Sequence, residues 1–574
     1  MVERAAIWTA LPTLFLAVVE LFLPGYAWLL ISGLHGLLRA YERVAISFVL
    51  SVCFSSLLTA AVTLVTSNYL FFSSAISLVA AVLAVGCHYY KARPVLLRGQ
   101  KIALSSSSRA LDLTIIAYAL LILAVFWTAP YYPAVGAPDL FTHFRVTNMI
   151  IEGEGRSVFL NADFPTGLHF TAALFSSLSQ IGAFQSLRVV TALTLLVIVP
   201  LIYSSARELI GGSAAGMVLL VAAFAMPTDL VHFVQPLFPN LMADAVALSS
   251  LLLVFRYVNH PSSRIGVTLG LLGIGGVFMH SSFLLYIAVL WVALPVAAFF
   301  FKEKARNYWQ AVAYSAVGLI LFGAFAWFSF HGNLQRVSSG YIFGVSSVDL
   351  RSFPELISSS VLTYMGPVNA VAVVCAVVFA KCRNSFGRTF SILWLITLLP
   401  GAFLSGQAYR FVLFAMLPGS FLVGNMLAGA PSLLSTMNGV FLSRLKKAVV
   451  AVIFLLLVVS GAFLGPVAQG YNLAGRDQQI AVYESMVWVE HSSCSNGVAS
   501  VGLWPDYMYL TTLTGVPYMG DFSRPPDYLL EKSLSQDFHC LVVAKSNQYF
   551  PQYENNTAFQ ERYQNQLITV FVIA

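Results

Sequence analysis

The chain has 574 residues, 58% of them hydrophobic and 10% charged, with a formal net charge of +7 and a mean hydropathy of +0.80. Such a composition excludes an ordinary soluble domain. The positive balance is no nucleic-acid signal either, because most Lys and Arg fall in short loops between apolar runs, where they set membrane orientation.

Apolar runs of roughly 18–25 residues, each able to cross ~30 Å of hydrocarbon as a helix, recur along the chain. The first, Ala5 to Leu34, is interrupted by Pro12 and Pro24-Gly25 and reads as one kinked span or a re-entrant hairpin. It is too long for a signal-peptide core and shows no small-residue cleavage site, so no cleavable signal is expected. Arg39 and Arg43 follow, then runs at about 44–66 and 69–90, then the most basic loop, Lys91 to Arg109. Positive-inside bias places that loop and Arg39/Arg43 in the cytoplasm. The span at about 111–129 then delivers the next segment to the outer face.

That outer segment, 130–169, reads PYYPAVGAPDLFTHFRVTNMIIEGEGRSVFLNADFPTGLH. It gathers Asp139, His143, Arg145, Glu152, Glu154, Arg156, Asp163 and His169 in a chain that otherwise uses few charges. Ionised groups are costly in hydrocarbon, so such a cluster marks a water boundary. A short apolar stretch from His169 to Phe184 reads as a juxtamembrane helix. Spans follow at about 187–205, 212–228, 241–257, 265–281, 283–301, 310–330, 361–380, 390–405, 409–428 and 448–466, about fourteen in all. The division expected is 1–110 for N-terminal transmembrane helices, 111–466 for a transmembrane catalytic module and 467–574 for an extracytoplasmic domain. In that last part DQQIAVYESMVWVEH has helical periodicity, while GVASVGLW, HCLVVAK and QLITVFVIA are β-branched runs bounded by turn residues, a small α/β domain. The fold class is thus an all-α polytopic membrane protein with a small C-terminal α/β domain.

Cys53, Cys87, Cys375 and Cys382 lie in or beside apolar runs and read as small apolar residues. Cys494 and Cys540 lie in the polar tail and would pair in an oxidising space. No CxxC or His-rich cluster suggests zinc.

Asp139 and His143 are four residues apart, so a helix starting after Pro138 puts them on one face. Asp139 there is either a base for an acceptor hydroxyl, with His143 orienting it, or simply the N-cap of that helix. Glu152, Glu154 and Asp163 could supply oxygen ligands to Mg²⁺ or Mn²⁺, and a solvated loop accounts for the same residues. His169 follows the PTGLH return and either reaches the same pocket or is interfacial. Arg410, in GQAYRFVLFAMLPG, stands at the outer end of a span against the positive-inside trend. A guanidinium at headgroup level suits a phosphate, and a snorkelling arginine is the plainer reading. Arg188 raises the same question. His232 and His280, also at outer helix ends, read first as structural.

An acidic first outer loop, a Pro-bearing return in FPTGLHFTAALFSSLSQIGAFQSLRVV and a span ending in ARELIGG resemble the GT-C superfamily of membrane glycosyltransferases. Protein O-mannosyltransferases and lipid A aminoarabinose transferases are similar in a loop aspartate, a Pro-containing entry and a following Arg, matched by Asp139, Pro165 and Arg188. Arg410 to Pro418 also looks like the superfamily's outer Arg before a long helix ending in Leu-Pro. The chain departs from it in having Leu140 rather than a second acid after Asp139, and in three spans ahead of the superfamily's first. The Trp-Trp-Asp-Tyr-Gly signature of oligosaccharyltransferases is absent, which argues against en bloc glycan transfer to asparagine. The resemblance implies a polyprenyl-phosphate-linked sugar donor, a glycan, lipid or protein acceptor, and an inverting transfer at the extracytoplasmic face of the cell membrane. Asp139 would be the base, Arg410 with Arg188 or Arg145 would hold the phosphate, and the C-terminal domain would cover the site or bind the acceptor. His143, His169 and His280 complete the candidate set. The competing class is a transporter or lipid flippase, which predicts ionisable residues near span centres; here the spans hold few beyond Glu20 and Asp244.

Overall fold

The computed structural model describes residues 11–96, 109–128, 138–161, 165–229, 238–280, 289–301, 306–318, 365–382, 386–404, 408–433, 440–460, 484–502, 518–521, 524–536 and 538–573, with isolated positions between. The chain forms two compact units, Met1–Thr128 with Val146–Ala468, and Ala129–Arg145 with Gln469–Ala574.

The first unit is helical. Ala40–Val62, Tyr69–Tyr90, Ala183–Ile210, Phe238–Asn259 and Val412–Gly429 are long and apolar enough to cross a membrane, and shorter apolar helices such as Ser263–Met279 and Pro367–Val378 accompany them. This is a multi-pass membrane protein. Phe238–Asn259 is 94% buried over its apolar window and Tyr69–Tyr90 only 22%, so the first is central and the second presents residues such as Phe71, Val79 and Leu83 outward. The first apolar run is a broken helix, Leu11–Glu20 then Leu23–Ile31. The break falls at Leu21-Phe22 and leaves Pro24 in the first turn of the second piece, where its missing N–H costs nothing.

Ala40–Val62 organises this unit. Gly25 lies so close to it that an added Cβ would stand 2.0 Å from the Ser47 carbonyl oxygen, and the Gly25 N–H donates to Ser51 Oγ at 2.7 Å. Small residues of this kind are what let helices approach in a membrane. Deeper along the same helix Ser55 Oγ donates to the buried Glu20 carboxylate at 2.9 Å. At its N-terminal end the fully buried Glu42 receives Arg207 at 3.2 Å and Arg256 at 3.2 Å, and Arg256 also reaches Glu208 at 3.0 Å. Tyr41 accepts from Arg207 at 2.7 Å, and the Arg39 backbone N–H donates to Glu42 at 2.8 Å. The ends of three helices are pinned on one carboxylate.

The second half of the outer loop docks on this scaffold by apolar packing. Ile150, Val158 and Phe159 join Ala60, Tyr69, Phe170 and Phe278 in one buried cluster. The Tyr69 hydroxyl donates to the Ile150 carbonyl and accepts from Gly155 N–H at 3.0 Å.

In the second unit, β1 (Val498–Val501), β2 (Tyr518–Asp521), β3 (Cys540–Ala544), β4 (Phe559–Gln564) and β5 (Ile568–Ile573) form one sheet of order β2-β1-β3-β5-β4. β1 runs parallel to β2 and β3, and β5 antiparallel to β3 and β4. Leu541 and Val543 of β3 pack with Leu529, Phe538, Tyr553 and Phe571 on one face. The sequence runs expected as strands are β1, β3 and β5. β2 and β4 escape that reading because YMGD and FQERYQ are polar; β4, at the sheet edge, exposes most of its side chains. Cys494 and Cys540, 46 residues apart, are joined in a disulfide as expected for an oxidising space.

Two outcomes follow from these contacts. Glu42→Ala would leave two largely buried arginines without their shared partner, a loss of about 3–5 kcal/mol for a broken buried pair. Thermal unfolding in detergent should show this as a large fall, with Glu208→Ala falling far less because Glu42 still holds both arginines. In the second unit, Cys494 and Cys540 should both resist alkylation in denatured, unreduced protein, and reduction should cost ~4 kcal/mol by the chain-entropy model for a loop of this length.

Candidate functional site

The helix expected after Pro138 is present, running Pro138–Met149 with Asp139 as its second residue and His143 one turn on. His143 is buried and Arg145 exposed, while the Asp139 side chain lies outside the described residues. All three belong to the unit that contains the C-terminal domain. The helix then passes into a five-residue π turn, Ile150–Glu154, opened by Gly153 at φ 101°. Glu152 and Glu154 are exposed on that turn, and Asp163 lies outside the described residues. Among the described residues no three metal-ligating side chains converge.

His169 and His280 sit at helix ends that meet. Gly167, two residues before His169, abuts the Phe278 carbonyl and Met279, and His280 caps the helix Ser263–Met279. His169 is fully buried, and burial pushes its imidazole down to about 4. It is therefore neutral at pH 7, able to donate or accept a hydrogen bond but not to balance a phosphate charge. Arg188, 3% exposed, lies over the Phe184 ring at 5.6 Å. A guanidinium presents paired N–H donors whose geometry matches that of a carboxylate or phosphate. Arg410 is the third residue of the helix Ala408–Leu433, its side chain outside the described residues. His232 also lies outside them.

The structure adds a constellation that sequence reasoning missed. Asp229, buried in the connection before Phe238–Asn259, is hydrogen-bonded to the buried Asp244 of that helix. The Tyr286 hydroxyl donates to Asp244 Oδ1. Thr228 Oγ1 donates to the Leu413 carbonyl at 3.0 Å, and the Tyr286 ring lies 5.8 Å from that of Phe414. Leu413 and Phe414 are one helical turn beyond Arg410, so the acid pair is anchored within about one turn, ~5–6 Å along the axis, of the Arg410 position. Two π turns flank the group, Val221–Ala225 before Asp229 and Val289–Ala293 after Tyr286, and such turns often mark functional sites. The available signal was Asp244 itself, a carboxylate within a span.

Burial raises the Asp229 carboxyl well above its usual range, and the neighbouring charge of Asp244 and the bond to it raise it further. The raised carboxyl of Asp229 favours its protonated form. Because the folded chain binds this proton more tightly than the unfolded one, its contribution is present below the ordinary carboxylate pKa of about 4 and is lost as pH rises towards the folded value. Asp229→Asn keeps the shape and a hydrogen-bonding group but no titrating charge, so it should flatten the fall of the unfolding midpoint with rising pH. A midpoint profile for the variant that parallels the wild type would reject a raised Asp229 carboxyl.

No curated protein matches the sequence. Among solved structures, ArnT from Cupriavidus metallidurans bound to undecaprenyl phosphate is similar with a TM-score of 0.52 and 11% identity, over 80% of this chain and 97% of that one. The Archaeoglobus fulgidus oligosaccharyltransferase in complex with Zn and sulfate gives 0.48 and 10%, over 80% and 73%. The arabinofuranosyltransferase AftD from Mycobacteria gives 0.47 and 14%, over 82% of this chain and 40% of that one. What is shared at such identities is the fold, here the fold of ArnT. A family model matches residues 18–487, so the chain belongs to DUF6541, a family of unknown function.

Proposed function

We propose that the chain is a membrane glycosyltransferase that moves a sugar from a polyprenyl-phosphate donor to an acceptor hydroxyl on the extracytoplasmic face. The observation that carries this reading is the fold shared with ArnT, which was solved with undecaprenyl phosphate and is matched over 97% of its length. The chemistry available here agrees: a carboxylate at a helix start, Asp139, and arginines at Arg188 and Arg410 for an anion.

In this reading Asp139 takes the proton of the acceptor hydroxyl as its oxygen attacks the anomeric carbon. The bond from that carbon to the phosphate oxygen breaks on the opposite face, giving inversion and free polyprenyl phosphate. Arg410, with Arg188 or Arg145, holds the departing phosphate, the electrostatic part of the catalysis. His143, one turn from Asp139, orients the carboxylate. His169, which is neutral, and His280 are hydrogen-bonding groups for the sugar. If a divalent cation takes part, Asp229 and Asp244 fit it better than the exposed Glu152 and Glu154. Their carboxyls already meet, and Asp229 Oδ1 is buried without a hydrogen-bond partner. Such a hard cation would add positive charge beside the phosphate.

Purified protein offered a panel of radiolabelled polyprenyl-phosphate sugars should remove label from one lipid in the presence of acceptor. Label that stays on the lipid while the lipid changes leaflet would replace the transferase with a flippase. Asp139→Asn keeps the capping oxygen and removes the base, so turnover should fall at least ~10²-fold in a well-folded sample. Wild-type turnover in that variant would leave Asp139 as a helix cap and move the search to Glu152, Glu154 and Asp163. Arg410→Lys keeps the charge but loses the planar fork, so donor binding should weaken more than expression suffers.

A further inference from the structure

The end of the bundle that holds the Glu42 network also carries a second group of cations with the opposite chemistry. Glu42 and Arg43 are neighbours on Ala40–Val62, yet they turn to different surroundings. Glu42 is saturated by Arg207 and Arg256. Arg43 points its Nη1 at His35 Nε2, 2.6 Å away, on the short turn Leu34–Leu37. Burial lowers the His35 imidazole, and Arg43 and His88 lower it further, so the ring is neutral and accepts from the guanidinium. A neutral acceptor orients Arg43 without cancelling its charge. Among the described residues no carboxylate lies within salt-bridge distance of Arg43, and its Nε is buried without a hydrogen-bond partner. A half-buried cation in that state is costly unless an anion completes it.

The same turn is also met by Arg264, whose Nη1 donates to the Ser32 carbonyl at 3.5 Å. Gly33, at φ 69°, makes room for this approach, since a Cβ there would stand 2.8 Å from Arg264 Nη1. Arg264 likewise has no carboxylate partner among the described residues. Tyr26 and Tyr89 join hydroxyls at 3.2 Å beside His35, and Trp28 donates to Thr268 at 3.0 Å, an aromatic collar of the kind found at membrane interfaces. Around the collar Ile31, Val44 and Tyr90 are exposed, apolar neighbours suited to acyl chains rather than to water.

We propose that Arg43 and Arg264, set about the Ser32–Leu37 turn with His35, form a binding site for the phosphate headgroup of an anionic phospholipid. Arginine matches phosphate geometry through paired N–H donors, and basic pockets between transmembrane helices take such headgroups. The lipid is favoured over a soluble phosphate because the exposed apolar residues beside the cations give its chains a place to lie. The site is independent of the transferase reading: it uses none of the residues assigned to transfer.

The test is native mass spectrometry of the delipidated full-length protein in neutral detergent, offered phosphatidylglycerol or phosphatidylcholine with the same chains. Wild type should retain one phosphatidylglycerol in preference to phosphatidylcholine. R43Q and R264Q should each weaken that retention by roughly ten-fold, the scale of one charge-assisted hydrogen bond. R109Q, which removes an exposed cation at the start of another helix, should leave it unchanged. Should R43Q fail to give a monodisperse protein, R264Q alone decides, because Arg264 is exposed at a helix start. Equal retention of the two lipids, or an R264Q sample that behaves as R109Q does, overturns the site. Inorganic phosphate that displaces the lipid at millimolar concentration assigns the pocket to a soluble anion and overturns the lipid.

Discussion

A single buried carboxylate sets the geometry on which the rest of the membrane unit depends. Glu42 has no exposed side-chain surface and holds Arg207 and Arg256 from two other helices. A buried ion pair gives little net stability over an apolar contact, but removing one partner is severe. Its value here is registry. Ala40–Val62, Ala183–Ile210 and Phe238–Asn259 are fixed at one end relative to one another, and rigid helices carry that registry along their length. Asp244 lies upstream of Arg256 on one of them by about 18 Å, and Arg188 upstream of Arg207 on another by about 28 Å, at the rise of an α-helix. Cations and acids far from the network inherit their positions from it.

Within that frame the acid pair departs from regular structure. The chain leaves a helix through the π turn Val221–Ala225 and places Thr228 and Asp229 against the helix that carries Arg410. Tyr286 closes the group from the other side and is followed by a second π turn. A π turn replaces the usual i→i+4 bonds by i→i+5 bonds and is frequent at functional sites. Two of them around one carboxyl pair indicate that the pair's placement matters more than helix regularity.

The membrane class, most apolar helices and the three apolar strands were legible because each is a local pattern in composition or periodicity. The disulfide was legible because only Cys494 and Cys540 lie in the polar tail. What was not legible depends on contacts between distant segments. Asp229 and Asp244 are separated by a connection with no periodic signal, and nothing local shows that Tyr286 binds the second of them. The break at Leu21-Phe22 was hidden by Pro24, the more conspicuous breaker, which the helix tolerates in its first turn. β4 was hidden because an edge strand with one solvated face reads as a polar loop. On the side of the site, the i, i+4 relation of Asp139 and His143 was readable, and the helix that realises it is present.

Depth distinguishes the two functional classes that a polytopic chain with buried acids invites. Transporters place their substrate and ion sites near the bilayer midplane, on broken helices at a repeat interface. Asp244 is the seventh residue of Phe238–Asn259, about 9 Å from the start of a helix of roughly 33 Å at the usual rise. Arg410 is the third residue of its own helix, and the acid pair is tied to that helix one turn further in. The acids and the Arg410 position thus belong to the starts of these two helices and not to their middles. Glu20, the last residue of Leu11–Glu20, is the other buried acid, and Ser55 donates to one of its carboxylate oxygens. An acid pair and an arginine at helix starts, away from the helix middles, are the placement that the proposed transfer from a lipid donor calls for.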